Sequence, residues 1–502
     1  MTTETQQAQF LIGGNGEKQV NLVGKMANRH GMIAGATGTG KTITLQILAE
    51  SFSRMGVPVF LADVKGDISG LAKEAKPHPK IDERIEKIGI TEYAMQGSPV
   101  VFWDFLGKQG HPIRTTVSEI GPLLWSSLLE LNDTQTGVLY TCFKVADDNG
   151  WLILDLKDLR SMLTWMADNA KELKADYGNI SSASIGAIQR GLIVLEEQGG
   201  ENFLGEPAIQ LNDLMSFDFS GRGIINVMDV TKVIHNSPKL YAVFLLWLMA
   251  ELFENLPEVG DAKKPKFVLF FDEAHLLFED APKVLVDKIE QVVRLIRSKG
   301  VGVYFISQNP LDIPQDILGQ LGMKIQHALR AFTPKDKKTI SAVAETFREN
   351  PSINTEECIT ELGIGEALVS VLDEKGSPTE VERILIRPPE SRIGPMTDQE
   401  RSEQINRSPY KGKYDTLIDR ESAFELLKER SEQQLKLEQE RESQEEQAKR
   451  LAAEAKAQQK TSRRSGSRRQ SVSEALLKSA ARSIGTRLGR QIIRGVLGSI
   501  LR

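Results

Sequence analysis

Between Met32 and about Arg387, short and almost wholly apolar runs alternate with longer stretches in which apolar residues recur every three or four positions. Apolar runs without polar alternation read as strands covered on both faces, and the stretches between them as amphipathic helices. The runs at 31–34, 57–62, 100–105, 223–230, 266–271 and 301–306 predict a mostly parallel, doubly wound α/β sheet, closed by strands at 367–372 and 381–386. Between about 116 and 206 the helical period dominates, with Leu123, Leu124, Leu128 and Leu129 and then Leu159, Leu163 and Met166 on shared faces, which predicts a helical insertion packing a subdomain. The longest apolar stretch, 242–253, is broken by Glu251 and is too short for the roughly 20 residues of a bilayer span, so it reads as a buried helix.

The pattern changes after Pro388 and Pro389. Residues 1–390 form the expected globular domain, 391–419 read as a linker, and 420–460 as a charged helix in which Leu426, Leu427, Leu435, Leu437 and Leu451 hold no heptad. Residues 461–473, with paired arginines among serines, read as a basic disordered linker. Residues 474–502 read as a basic amphipathic helix. Four uses stay open for it: an anionic membrane surface, a protein partner, DNA, or the chain's own core.

Composition adds limits. With 502 residues, 40% apolar and 26% charged, the chain has an ordinary globular balance, which excludes wholesale disorder and a membrane-spanning class. The net charge of −5 hides an asymmetry: nine Arg and one Lys against Glu474 give +9 from Thr461 onward, leaving −5 − 9 = −14 for residues 1–460. Cys142 and Cys358 are too few for a disulfide framework or a Cys-rich metal site. Together with a first segment lacking a basic and an apolar signal region, they predict a cytoplasmic protein, peripheral at the membrane if the tail anchors it.

The sharpest chemical signal is Gly35-Ala36-Thr37-Gly38-Thr39-Gly40-Lys41-Thr42, a full GxxxxGK[ST] match between a predicted strand and a predicted helix. Glycines let backbone N–H groups turn inward around phosphates, Lys41 supplies charge to the β and γ oxygens, and the Thr42 hydroxyl can ligate Mg²⁺. The apolar run 267–271 ends in Asp272 and Glu273, which suits a carboxylate holding Mg²⁺ through water and a neighbouring general base for the attacking water. Asp272 to His275 spells DEAH, but the Ser-Ala-Thr and Gln-Arg-Gly-Arg motifs of the RNA helicases with that label are missing, so His275 reads as a supporting residue. Gln308, at the end of the 301–306 run, suits a γ-phosphate or water sensor, and Asp63 belongs at the carboxyl edge of the sheet, where ligands bind. Arg29, Arg294, Arg297 and Arg330 are candidates to stabilise developing phosphoryl charge, a role that arginines sometimes fill from a neighbouring subunit.

In this order, GATGTGKT, DVKGD, FFDEAH, RSKGVGVYFISQNP and HALRAFTPKD resemble the HerA/FtsK class of P-loop ATPases, and most closely the YjgR-like bacterial subgroup of HerA-like helicases. The likeness covers residues 20–390. It implies a RecA-like core, a hexameric ring with active sites between subunits, and ATP-driven movement along double-stranded DNA. On the matching positions it implies phosphate and magnesium roles for Lys41 and Thr42, a Walker B pair in Asp272 and Glu273, a sensor in Gln308, an acidic site residue in Asp63, and arginines near the nucleotide in Arg29 and Arg297. Only 34 residues precede Gly35, too few for the small β-barrel that docks a nuclease in HerA proper. The other class of function that fits is an ATP-switched membrane-surface or protein-remodelling factor anchored by residues 474–502.

Overall fold

In a computed structural model of the chain, residues 8–260, 262–279 and 283–462 are described. The chain divides into two units, Met1–Leu427 and Lys428–Arg502. The first is built on one sheet of twelve strands: β1 (Gln9–Gly14), β2 (Gln19–Val23), β3 (Gly31–Ala34), β4 (Val59–Asp63), β5 (Val100–Asp104), β6 (His111–Pro112), β7 (Ile225–Asp229), β8 (Phe267–Phe271), β9 (Val301–Ser307), β10 (Met323–Gln326), β11 (Glu366–Ser370) and β12 (Glu382–Ile386). Their order is β2-β1-β12-β11-β10-β3-β9-β8-β4-β7-β5-β6. From β10 to β6 every neighbouring pair is parallel. From β10 back to β2 every pair is antiparallel, so β11 and β12 do not close the parallel sheet but extend it as a meander that β1 and β2 complete.

The buried strands divide their side chains by the two-residue period. Phe60 and Ala62 of β4, with Phe267, Leu269 and Phe271 of β8, enter the core on one face. Val59, Leu61, Val268 and Phe270 enter the core on the other, against helix α1 (Lys41–Arg54). The first core is the larger because residues 117–197 stack five helices on it: Val117–Leu128, Asp133–Asn149, Leu156–Asp168, Ala170–Tyr177 and Ser182–Glu197. Thr116/Glu119, Asn132/Gln135 and Asp155/Asp158 form reciprocal capping boxes at three of their starts, which satisfy amides the first helical turn leaves open. The apolar stretch around 242–253 lies in the buried helix Pro238–Asn255, and no described helix is long and apolar enough to cross a membrane.

Residues 391–419 are not a linker. Ser391, Arg401, Tyr410 and Tyr414 are buried, and the segment carries the helix Asp398–Asn406. Arg401 pairs with buried Asp229 of β7 at 3.0 Å, donates from Nε to the Gln109 carbonyl at 2.7 Å, and lies 4.7 Å from the ring centre of Phe102. Tyr410 and Tyr414 pack their rings on Trp103. Glu50 of α1 accepts from the backbone N–H groups of Glu390 and Ser391 at 3.0 and 2.8 Å, which fastens the chain after β12 to the phosphate-loop helix. The composition looked like a linker because the segment is held by arginine and tyrosine stems with polar tips, side chains that bury most of their length without raising hydropathy.

A helix runs from Ala423 to Ser462. Ala423 and Leu427 sit in the larger core, and Asp158 holds the start of this helix through Ser422 Oγ at 2.5 Å and Phe424 N–H at 2.9 Å. In the second unit Leu435, Leu437 and Leu451 are exposed. The expectations for 463–502, including the amphipathic helix at 474–502, lie outside the described residues.

Candidate active site

The strand order creates the site. β3 delivers its last residue, Ala34, to the loop 35–40, and α1 begins at Lys41. β9 lies directly beside β3, and β8 beside β9, so Asp272 and Glu273 emerge one strand away from the loop with Gln308 between them. A single strand, β9, thus separates the phosphate-loop strand from the strand that ends in the acidic pair.

Gly35, Gly38 and Gly40 have φ of 151°, 76° and 121°, values side chains rarely allow. A Cβ on Gly35 would also lie 2.5 Å from His327 Cβ, whereas one on Gly38 would meet nothing within 4 Å, so the middle of the loop faces open space. The Ala36 N–H is taken by the Ala328 carbonyl at 2.8 Å. Among the described residues, the N–H groups of Gly38, Gly40, Lys41 and Thr42 make no hydrogen bond, which leaves an anion-accepting concavity at the start of α1. Lys41 is buried and donates to the Gly35 and Ala36 carbonyls at 2.6 and 3.1 Å. Burial lowers its pKa and nearby Lys65 adds to that, while Glu273 and Asp272 oppose it.

Glu273 is the hub on the other side. Lys65 approaches its Oε1 at 2.8 Å, Gln308 Nε2 lies 3.4 to 3.5 Å from both carboxylate oxygens, and His275 Nδ1 lies 3.4 Å from Oε2. Burial alone would raise its pKa, but the Lys65 ammonium, Gln308 and His275 together outweigh it and hold the carboxyl below the ordinary range. Asp272 goes the other way: burial, then the charge of Glu273, lift it to about 7, against the pull of Lys65 and the Glu273 N–H. Asp63 is wholly buried, and burial and Asp67 push it up to about 6. Its oxygens accept from Gly66 and Ile68 N–H at 2.7 and 3.3 Å, so Asp63 shapes the loop that carries Lys65 and Asp67. Asp67 Oδ1 is buried with no hydrogen-bond partner among the described residues. Four carboxylates, Asp63, Asp67, Asp272 and Glu273, thus share this corner with Lys41 and Lys65, an excess of negative charge that a divalent cation fits. No cluster of three metal-ligating side chains exists among the described residues.

Two participants escaped the sequence reading. Lys65 stands in the DVKGD motif, where only Asp63 drew notice; a cation between two acids at a strand end was the available signal. His327 wedges between the loop and β11. Its Nδ1 faces the Glu366 carbonyl at 2.9 Å and so donates, leaving Nε2 to accept from the Thr44 hydroxyl at 2.8 Å. Burial takes its pKa down to about 4, so it stays neutral beside Lys41.

The arginines are not brought to the loop within one chain. Arg29 precedes β3 and Arg297 precedes β9, both at the amino ends of strands whose carboxyl ends carry the site. With Arg294, Lys324 and Arg348 they line a separate cavity of about 820 Å³. Arg330 lines a different groove, beside Phe332.

A family model described as Helicase HerA-like C-terminal matches residues 9–502. The DNA double-strand break repair helicase HerA of Sulfolobus acidocaldarius is 21% identical over 378 residues, 72% of this chain and 65% of that protein. The protein of the same name from Saccharolobus solfataricus is 24% identical over 371 residues, 72% of this chain and 64% of that one. The chain therefore spans just under two thirds of the length of these relatives. The bacterial conjugative coupling protein TrwB superposes with a TM-score of 0.49 at 15% identity, covering 78% of this chain and 92% of that one.

Proposed function

The chain belongs to the Helicase HerA-like C-terminal family, and from that membership we propose that it is an ATP-hydrolysing motor acting on double-stranded DNA, of the YjgR-like kind, working as a hexamer in the cytoplasm. The observation that supports this most is the placement of Glu273. It stands one strand from the phosphate loop, oriented by Lys65 and Gln308, where a carboxylate can take a proton from water attacking a γ-phosphate.

In this reading the glycines 35, 38 and 40, with Ala36, Thr37 and Thr39, shape the cradle for ATP, and Lys41 leaves the loop carbonyls for the phosphates. Thr42 and Asp272 hold Mg²⁺, which when bound neutralises charge on the β and γ oxygens. Gln308 positions the water. Asp63 sets the loop that presents Lys65. Arg29 and Arg297 serve the nucleotide of a neighbouring copy, because they line a cavity remote in strand direction from their own loop.

The test is steady-state Mg-ATP hydrolysis by full-length protein alongside nucleotide titration. Glu273→Gln keeps ATP binding and loses roughly 10²-fold or more in kcat, and Lys41→Ala loses tight binding. Turnover at the parent rate in Glu273→Gln would remove the assignment. The +9 charge of residues 461–502 favours a second reading, a membrane-surface or protein-remodelling factor; it predicts turnover indifferent to DNA and vesicle binding lost on deleting 474–502.

A further inference from the structure

The segment after β10 connects the phosphate loop to the protein surface in a few residues. The His327 N–H donates to the Ala34 carbonyl at 2.7 Å, and the next carbonyl, of Ala328, receives the Ala36 N–H. Arg330, two positions on, is already exposed, and Phe332 is 87% exposed. A phenylalanine ring in water is a local loss of apolar burial, and here it is not the by-product of a slack loop. Asp336 Oδ2 accepts from the N–H groups of both Phe332 and Thr333, at 3.0 and 2.8 Å, and Thr333 caps the helix Pro334–Ala344 in return.

Arg330 and Lys337 line the same groove as Phe332, and Lys335 and Lys338 stand within six positions of it in the chain; none of the four is buried and none is in an ion pair among the described residues, although Lys335 acts on the Asp336 carboxylate. The one acid of this stretch, Asp336, is committed to backbone amides. Leu329 and Ile340 line a groove of about 620 Å³ beside Phe332; Glu356 and Glu357 line it too, so the cationic side is the loop and the helix start. An exposed aromatic ring on a fixed backbone, with cations beside it, matches a nucleic-acid strand, whose sugars, or in a single strand whose bases, pack on the ring while its phosphates meet the lysines.

We propose that residues 330–338, built as an exposed Phe332 among four cations at the end of a segment hydrogen-bonded to the phosphate loop, form the contact through which this protein grips DNA and links that grip to nucleotide state. The proposal rests on the DNA-motor reading above. Any shift of the phosphate loop that displaces Ala36 or His327 moves the base of this contact.

The experiment compares full-length parent, Phe332→Ala and the triple variant Lys335→Ala, Lys337→Ala, Lys338→Ala. Fluorescence anisotropy uses labelled linear duplex and a single strand of the same sequence across a salt series. Vesicles with and without anionic lipid, and ATP hydrolysis with and without the duplex, complete the set. Phe332→Ala is expected to weaken DNA binding roughly tenfold with the salt slope unchanged. The triple variant flattens the slope by about 0.9 for each DNA phosphate that the lysines no longer neutralise. Both lose DNA stimulation of turnover and keep the basal rate. Parent-level binding and stimulation in both variants overturn the proposal and leave the motor reading standing. No DNA binding by the parent overturns both. Loss of vesicle binding with DNA binding untouched assigns the surface to lipid and also overturns it. If thermal melting shows the triple variant unfolded, Phe332→Ala alone decides.

Discussion

Glu273 is held at φ 48° and ψ 50°, a left-handed backbone conformation few non-glycine residues adopt. Strain of that kind persists where the surroundings over-determine it. Here the Asp272 carboxylate accepts the Glu273 N–H at 3.0 Å and Lys65 holds the side-chain end, so a bent backbone and an ion pair fix the direction of one carboxylate. Lys65→Met should therefore lower kcat about tenfold or more while leaving the ATP dissociation constant within a fewfold, since Lys65 pairs with the proposed base and lies outside the proposed cradle. Single-turnover hydrolysis and nucleotide titration measure the two separately, and equal losses in both would place Lys65 on the nucleotide instead. At this scale the sequence was readable where residues act through spacing: the loop 35–42 and the pair 272–273 stand out against any background. It was not readable where residues act through partners far along the chain. Lys65 and Glu273 are 208 positions apart, and His327 acts on a loop that begins 292 positions before it.

At the scale of elements, each of the eight runs predicted as strands overlaps a strand, and the six in the parallel part of the sheet are buried along their whole length, which is why they are almost wholly apolar. The strands that went unseen have polar positions or little length. β10 reads Met-Lys-Ile-Gln, β6 is two residues, and β1 and β2 form an edge hairpin whose side chains are only partly buried. The helix Asp398–Asn406 escaped for a different reason: one buried arginine, not an apolar stripe, fixes it. Arg401→Ala should cost about 3 kcal/mol by leaving Asp229 buried without its cation, and Arg401→Met should lose nearly as much although it keeps a stem over Phe102. Thermal unfolding of the two variants checks this. A methionine variant as stable as the parent would mean that packing, not charge pairing, holds the helix. Asp158→Asn should likewise loosen two helix starts at once, since its carboxylate serves Leu154 and Asp155 with one oxygen and Ser422 and Phe424 with the other.

For the whole molecule, stability carries a pH signature that can be assigned. His30 is fully buried between β9 and the helix Lys283–Ile296, accepting from Val303 N–H at 3.0 Å and facing the Val293 carbonyl at 2.9 Å. Burial is the main cause that takes its pKa from 6.5 to about 4; the Val293 contact opposes this and Arg297 adds to it. Between those two values the unfolded chain binds the extra proton, so this share of stability is complete above pH 6.5 and is lost as pH falls toward 4. Buried Asp63 and Asp272, with raised pKa values, act in the opposite sense, so the parent's own pH curve mixes the two. The clean reading is a difference: His30→Gln is less stable than the parent at pH 7, and the gap narrows at pH 5. A gap that stays constant contradicts the assignment. The proposed motor depends on ATP turnover at Glu273 driving work on DNA. The most direct test is steady-state ATP hydrolysis by the full-length protein with and without linear duplex DNA, at low and moderate salt, for the parent and Glu273→Gln. DNA should stimulate turnover, moderate salt should weaken that stimulation, and Glu273→Gln should cut turnover roughly 10²-fold or more. Turnover that depends on Glu273 but ignores DNA at both salt concentrations would contradict the motor reading.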